Sequence, residues 1–258
     1  MSGNHLSSPT AVDSQPSEES RVAAAELLDR IERLESELRA LRMSTLAERR
    51  FVLDGDILPY HASPKNRTWD NERAVEIPVV WRALERRGHS GGVLEVGNVL
   101  GHYFEIAHPV LDKYEQHATV TWHEDIVTFE PPFAPELILS ISTLEHVGRS
   151  EVPRDPEKFQ EAVDAVTGWL APGGRLLFTV PLGYNPAVRA YLDSPHPPRA
   201  TVRCMRRTTL DNLWVQADYA EVRDFRYGSP FPCANAIAIV EVAAADTQAS
   251  ARPEGESS

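Results

Sequence analysis

The stretch VLEVGNVLGHY, residues 93–103, decides the fold of this chain. An apolar run leads into two glycines that stand four residues apart, Gly97 and Gly101. This order is typical of a buried strand that runs into a ligand-binding turn at the carboxyl end of a parallel sheet. One position where such turns commonly carry glycine holds Val99. Its β-branched side chain restricts the backbone and narrows the space beside it.

Strand-like and helix-like runs alternate after this stretch. Strands are predicted within 107–115, 118–126, 136–143, 175–183, 220–228 and 235–243, and a helix within 157–174. The alternation predicts an α/β fold with a Rossmann-like, open and mostly parallel sheet. The last two strands share a short connection, so they should be antiparallel to each other. The connections after Gly101 and Asp112 are shorter than a parallel crossover normally needs, so their helices must be short or a strand is missing.

An amphipathic helix is predicted over residues 21–45, ahead of that domain. Its apolar residues follow a heptad pattern, at Ala24, Leu27, Ile31, Leu34, Leu38 and Leu41. In a parallel dimer Arg30 would face Glu35 of the partner, and Glu37 would face Arg42. Two interpretations remain open: the helix packs on its own domain, or residues 21–43 pair with a second copy in a homodimer.

Composition limits the class of protein. The chain has 258 residues, 42% of them hydrophobic and 25% charged, which suits one domain, at 46–245, with disordered tails at 1–20 and 246–258. The net charge of −12 repels phosphate backbones, so no nucleic-acid partner is expected. Two cysteines without metal-type spacing suit a reducing cytoplasm. No apolar run is long enough to cross a membrane, so no membrane partner is expected.

Several local patterns give further predictions. Residues 44–70 should be irregular, and Asn71 should cap a helix that Pro78 interrupts and that stops at Gly88. Residues 210–216 are predicted as an amphipathic helix with Trp214 in the core. The arginines at 203, 206 and 207 are interpreted as a solvated helix face in preference to a binding patch.

The segment from Glu95 to Gly101 resembles motif I of the class I S-adenosylmethionine-dependent methyltransferases, acid-x-Gly-x-Gly-x-Gly, at three of four marked positions. A nicotinamide-binding turn would need a different glycine spacing. The resemblance extends over roughly residues 70–243. Closer still is the similarity to a methyltransferase-like family associated with glycan and secondary-metabolite pathways, through LEVGNVLGHY, HPVLDKYE, SISTLEHVG and TVPLGYNP. Val99 is ordinary in that family.

This resemblance implies that S-adenosylmethionine is the cofactor. It places the cofactor-binding residues at Glu95, Gly97, Gly101, Asp112, Asp125, Ile126 and Ser142. Asp112 would accept from the ribose hydroxyls, Asp125 would receive the adenine amino group, and Ile126 would line the adenine. Some methyltransferases bind a metal through Glu-x-x-Glu-His. Ser142 stands in place of the first Glu of that pattern, so no metal site is expected.

Two residues are candidates for catalysis. His146, after the strand at 136–143, has the chemistry of a general base, although Glu145 and His146 could instead cap the next helix. Tyr184 could assist deprotonation or belong to a simple turn. The expected function is methyl transfer to a small-molecule acceptor, such as a sugar or natural-product hydroxyl. The alternative is a pseudo-methyltransferase that acts as a binding or scaffold module.

Overall fold

The computed structural model describes residues 17–88, 91–194 and 200–244. Apart from residues 17–20, the tails predicted at 1–20 and 246–258 lie outside the described residues. The chain divides after Arg42 into two units. In chain order, the helices and strands are α1 Glu18–Ala47, β1 Arg50–Leu53, β2 Asp56–Pro59, α2 Arg73–Arg87, β3 Val93–Val96, β4 Val110–Leu111, β5 Leu137–Ile141, α3 Lys158–Gly168, β6 Arg175–Pro181, α4 Pro186–Asp193, β7 Ala200–Arg207, β8 Trp214–Ala217, α5 Tyr219–Val222 and β9 Ala236–Ala243.

Seven strands form the main sheet, in the order β4-β3-β5-β6-β9-β7-β8. Strands β4, β3, β5 and β6 are parallel neighbours, whereas β9 pairs antiparallel with both β6 and β7. The predicted class is confirmed: a Rossmann-like, mostly parallel open sheet with an antiparallel last strand. Strands β1 and β2 form a separate antiparallel hairpin.

The central strands are apolar throughout because both faces of the sheet are covered. Successive side chains of a strand point to opposite faces, and here they enter two different cores. Along β5, for example, Leu137 and Leu139 join the core that contains α2, while Ile138 joins the core that contains α3 and α4. This double burial explains why these strands show no alternation of apolar and polar residues.

The helix predicted from Asn71 is found as α2. The side chain of Asn71 accepts a hydrogen bond from Arg73 N at 3.0 Å, which caps the first turn. Pro78 lies inside the helix and has no N–H to donate to Ala74 O. That carbonyl accepts instead from His61 N at 2.9 Å, so the proline costs no unsatisfied backbone group.

The chain leaves β3 for β4 on one side and returns to β5 on the other, so the switch point of strand order lies between β3 and β5. Ligands bind at such points, beyond the carboxyl ends of the strands. The connection from β3 to β4 contains only a 3₁₀ turn, Leu100–His102. The strand expected at 118–126 is reduced to a single bridge between Leu111 and Trp122. The connections are therefore short because the sheet ends at β4, beyond which the described residues form only this single bridge.

Three predictions near the ends of the domain were wrong. Residues 44–70, expected to be irregular, contain the β1–β2 hairpin, and residues 220–228 contain α5 instead of a strand. Val222, the last residue of α5, is buried in the core that contains α3 and α4, and Phe225 packs against the same core. Residues 210–216 form a turn and the start of β8, because Asn212 has a left-handed φ of 60°.

The arginine cluster was also misassigned, since Arg203, Arg206 and Arg207 lie on strand β7. Arg207 is buried and donates to the backbone oxygens of Asp70, Pro232 and Leu210. These bonds join three loops, so this arginine is structural. The helical interpretation failed because one basic side chain serves as a buried donor, which a charge pattern does not reveal.

Candidate functional site

The side chain of Glu95 holds the loop after β3 in place through hydrogen bonds to its backbone. This carboxylate is fully buried, and its Oε1 accepts from Val99 N at 2.9 Å and Leu100 N at 2.8 Å. Its Oε2 lies 3.0 Å from His108 Nε2. Both oxygens are therefore engaged within the protein, and the acid fixes the shape of the loop.

The two glycines of the loop serve different purposes. Gly97 has φ +84°, and a Cβ there would lie 2.1 Å from Thr143 Oγ1. Only glycine permits both this backbone conformation and this approach of the next loop. A Cβ at Gly101 would meet Asn98 Oδ1 and Thr119 Oγ1 at 2.6 Å, so this glycine makes room for a polar pair. Val99 has φ −111°, which any residue adopts.

A cavity of about 530 Å³ opens beside this loop, at the carboxyl ends of β3, β4 and β5. That volume suits a small-molecule ligand or cofactor. Six of the predicted site residues line it: Gly97, Asp112, Asp125, Ile126, Ser142 and His146. Three others, Glu95, Gly101 and Tyr184, are not part of the lining. The first two shape the loop, and the third contacts His146.

Asp112 ends β4 and is held rigidly at the cavity wall. Its Oδ1 accepts from Tyr114 N and Glu115 N, both at 2.9 Å. Its Oδ2 accepts from Asn98 N at 3.1 Å, which ties the acid to the loop after β3. Three donors occupy about four acceptor positions, so a ligand hydroxyl could still donate to this carboxylate.

Asp125 belongs to a cluster of four charges. Its Oδ2 accepts from Lys113 Nζ and Lys158 Nζ, each at 2.8 Å, and both lysines also contact Glu151. Burial by itself would raise the pKa of Asp125, but the hydrogen bonds from the two lysines outweigh it and hold the pKa well below its usual range. Asp125 Oδ1 accepts from Val127 N at 3.0 Å. The remaining acceptor position on Oδ1 is the one that an amino group could use.

Two buried polar atoms in the cavity lining have no hydrogen-bond partner within the described residues: Asn98 Nδ2 and His102 Nδ1. The other ends of both side chains are fixed. Asn98 Oδ1 accepts from Thr119 Oγ1 at 2.8 Å, and His102 Nε2 lies 2.7 Å from Glu115 Oε1. Buried polar atoms are nearly always bonded, and water or a polar ligand in the cavity could supply the missing partners.

Buried polar groups also surround the end of β5. Ser142 has an unusual φ of +38°, and its Oγ donates to Glu76 Oε1 at 2.6 Å. Burial raises the pKa of Glu76 to about 7; Arg73 opposes the shift and Glu72 adds to it. Arg73 donates to Ile141 O at 2.6 Å and lines the cavity. It therefore brings a guanidinium to the cavity wall.

His146 lies half-exposed at the cavity wall. Its Nδ1 is 3.0 Å from Ser150 Oγ and 3.2 Å from the hydroxyl of Tyr184. Its Nε2 is 3.7 Å from Oε1 of the buried Glu145. Burial, followed by the charges of Arg73 and Arg149, lowers the pKa of His146 below its ordinary value. The ring is therefore mostly neutral at pH 7 and able to accept a proton.

Several residues of the lining were not predicted from the sequence, among them Asn98, Lys113 and Arg73. Asn98 lies within the quoted motif but was treated as a variable position, and Lys113 directly follows Asp112. Either position could have been noted from its neighbours. Arg73 has no such signal, because it reaches the cavity from a helix that precedes β3 in the chain.

In residues 17–88, 91–194 and 200–244, no group of three or more His, Cys, Asp or Glu side chains is arranged to hold a metal ion. Across the same ranges, the helices are too short or too polar to cross a membrane.

No family model and no curated protein matches the chain. It is similar to a solved structure of the N-methyltransferase NodS from Bradyrhizobium japonicum in complex with S-adenosyl-L-homocysteine, at 15% identity over 69% of this chain and 90% of that one, with a TM-score of 0.45. An rRNA methylase from Streptococcus thermophilus shares 11% identity over 66% and 97% of the two chains, with a TM-score of 0.43. The sugar N-methyltransferase KedS8 from a Streptoalloteichus species shares 15% identity over 67% and 88%, with a TM-score of 0.37. Likenesses this distant assign no activity, so function rests on the site.

Proposed function

We propose that this chain is an S-adenosylmethionine-dependent methyltransferase that acts on an oxygen or nitrogen of a small molecule, with a sugar or natural-product hydroxyl as the first candidate. The observation that carries the proposal is the cavity at the switch point, where Gly97 permits close approach and Asp112 offers a fixed carboxylate. The acceptor would approach from the side of Arg73 and His146, which line the same cavity.

The polar atoms of the cavity fit this cofactor. Asp112 can accept from the ribose hydroxyls, and Oδ1 of Asp125 can accept from the adenine amino group while Ile126 packs against the ring. The unsatisfied Asn98 Nδ2 and the guanidinium of Arg73 are donors suited to the carboxylate of the methionine part. His102 Nδ1 suits its ammonium, provided that the other ring nitrogen donates to Glu115.

When bound, S-adenosylmethionine would supply an electrophilic methyl group on its sulfonium. His146 accepts the proton that the acceptor loses, on an imidazole that is neutral at pH 7. Tyr184 and Ser150 bind its Nδ1 and so fix the plane of the ring. Tyr184 does not line the cavity, and we therefore assign it a positioning role. The remaining contribution of the chain is alignment of the two reactants and exclusion of water.

Calorimetric titration of the full chain with S-adenosylmethionine and with S-adenosylhomocysteine tests the cofactor. We expect saturable heat with both and none with a nicotinamide dinucleotide at the same concentration. Incubation with a panel of amino sugars, sugars and phenolic natural products, followed by mass spectrometry, should then show a product heavier by one methyl group. The absence of heat with either adenosyl ligand would contradict the proposal.

A scaffold module is the second candidate. It is favoured by the edge of the sheet after β4, where a single bridge stands in place of a full strand. The backbone restriction that valine imposes at residue 99 does not support the scaffold hypothesis, because φ of Val99 is negative and the loop does not need a glycine there. The two hypotheses differ in turnover. A scaffold would bind the cofactor weakly or not at all and would give no methylated product from any acceptor in the panel.

A further inference from the structure

Helix α1 carries an apolar seam that the proposed chemistry does not use. In residues 21–42 the first core position of each heptad holds Ala24, Ile31 and Leu38, and the second holds Leu27, Leu34 and Leu41. Ile31, Leu34 and Leu38 are 43–56% exposed. Large apolar side chains at such regular spacing on one helix indicate a partner surface of the same spacing.

We propose that residues 21–42 form a parallel, two-stranded coiled coil with a second copy of this chain. Two helices whose apolar residues repeat every 3.5 residues pack along these seams, because each apolar side chain inserts between four side chains of the facing helix. A second copy of this chain provides such a helix. Ile31 at a first core position, with leucine at the second core positions on either side, favours two strands. At 1.5 Å per residue, the 22 residues span about 33 Å, or three heptads.

The charges beside the seam fit this partner and this orientation. In a parallel pair, the residue before a first core position faces the residue after the next second core position of the other helix. Arg30 then faces Glu35, and Glu37 faces Arg42, so both contacts are attractive. Within one helix these residues are five apart and do not face each other, since helical neighbours are three or four apart. These charges are therefore placed so that they attract each other in a parallel pair.

The outer face of α1 is stabilised separately. Arg33 Nη2 donates to Asp29 Oδ2 at 2.8 Å, one helical turn away and on the side opposite the seam. Ser36 lies on the same outer face. Charge pairs within the helix thus occupy the surface that the coiled coil leaves in solvent. This division provides matched positions for a test, one inside and one outside the proposed interface.

Light scattering of the full chain after size-exclusion chromatography gives the first test. The wild type should have twice the monomer mass of 28.7 kDa. Ile31→Asp places a charge in the seam and should give the monomer mass, whereas Ser36→Asp on the outer face should leave the dimer intact. Circular dichroism and thermal unfolding of the β-sheet domain check that both variants fold. A monomeric wild type, a larger oligomer, or a dimer that survives Ile31→Asp would overturn the proposal.

Orientation is tested by charge exchange and crosslinking. Arg30→Glu and Glu35→Arg should each weaken the dimer, and the double variant should restore it. In a Cys233→Ser background, Leu34→Cys should crosslink on oxidation, because the two copies of residue 34 meet in a parallel pair. Ser36→Cys should not crosslink. Failure of the double variant to restore pairing, or equal crosslinking at both positions, would rule out the parallel arrangement.

Discussion

Glu95 Oε1 accepts the backbone N–H of Val99 at 2.9 Å, so the acid of the motif holds the residue that departs from its glycine pattern. The same oxygen accepts from Leu100 N. Because φ of Val99 is −111°, a side chain is tolerated and the loop keeps its shape through the buried carboxylate. The valine is thus compatible with a formed ligand loop.

Val99→Gly tests that conclusion. We expect no gain in affinity for S-adenosylmethionine, because the loop does not need glycine at this position. Stability should fall by about 1–3 kcal/mol, because a buried side chain is lost and the unfolded backbone gains freedom. Thermal unfolding measures the second effect and calorimetry the first. A variant that binds the cofactor more tightly than the wild type would mean that Val99 obstructs the cavity.

Asp112→Asn tests the ligand contact of an acid that also accepts three backbone N–H groups, so its melting temperature is measured beside its affinity. The neutral amide should weaken binding of S-adenosylmethionine by about 1–3 kcal/mol, or roughly 5- to 150-fold. Glu95→Gln should instead lower the melting temperature first, since it leaves buried donors poorly paired beneath the loop. Glu161→Gln, on the exposed face of α3, is the control for loss of one charge. Unchanged affinity in Asp112→Asn would refute its role at the ribose.

The central sheet could be predicted from the sequence because its signals are local. Runs such as 136–143 and 175–183 are apolar on both faces, and only a sheet covered on both sides explains them. The edges could not be predicted in this way. Strand β8 begins with Trp214, which packs into the core that contains α2. The turn just before it depends on the left-handed φ of Asn212. The partners that decide such a segment are distant in the chain, so its own pattern is ambiguous.

The site was predictable to the same extent. Asp112 and Asp125 follow strand-like runs, and residues at the carboxyl ends of neighbouring parallel strands converge. The sequence shows that Glu95 stands just before the loop after β3. Its burial and its two backbone donors depend on how that loop folds back, which the sequence does not show. Arg73 reaches the cavity from α2, and no spacing rule connects it to the motif.

The buried carboxyl of Glu76 should make stability depend on pH. Its pKa of about 7 lies above the value of 4.5 for the free side chain, so the folded state binds this proton more tightly than the unfolded chain. The contribution is therefore fully present below pH 4.5 and is lost as the pH rises through 7. The loss is on the order of 3 kcal/mol at about 1.4 kcal/mol per pKa unit. Thermal unfolding between pH 5 and pH 8 measures it.

Glu76→Gln is the matched variant, because the amide keeps the size of the side chain and cannot ionise. Its melting temperature should change less between pH 5 and pH 8 than that of the wild type. Some dependence should remain, since burial, the largest cause, also raises the pKa of Glu145 and is still present in the variant. Glu161→Gln should behave as the wild type. Parallel pH curves for the wild type and Glu76→Gln would show that this carboxyl does not titrate in the range.

His146 should titrate below the ordinary histidine pKa of about 6.5. Burial disfavours its charged form, and the positive charges of Arg73 and Arg149 add to that effect. Nuclear magnetic resonance of the ring protons measures this in the free protein, with the signal assigned by its loss in His146→Asn. Arg149→Gln should move the pKa upward, whereas Arg154→Gln, an exposed arginine on the same loop, should leave it unchanged. A pKa at or above 6.5 would contradict the combined effect of burial and the two arginines on this ring.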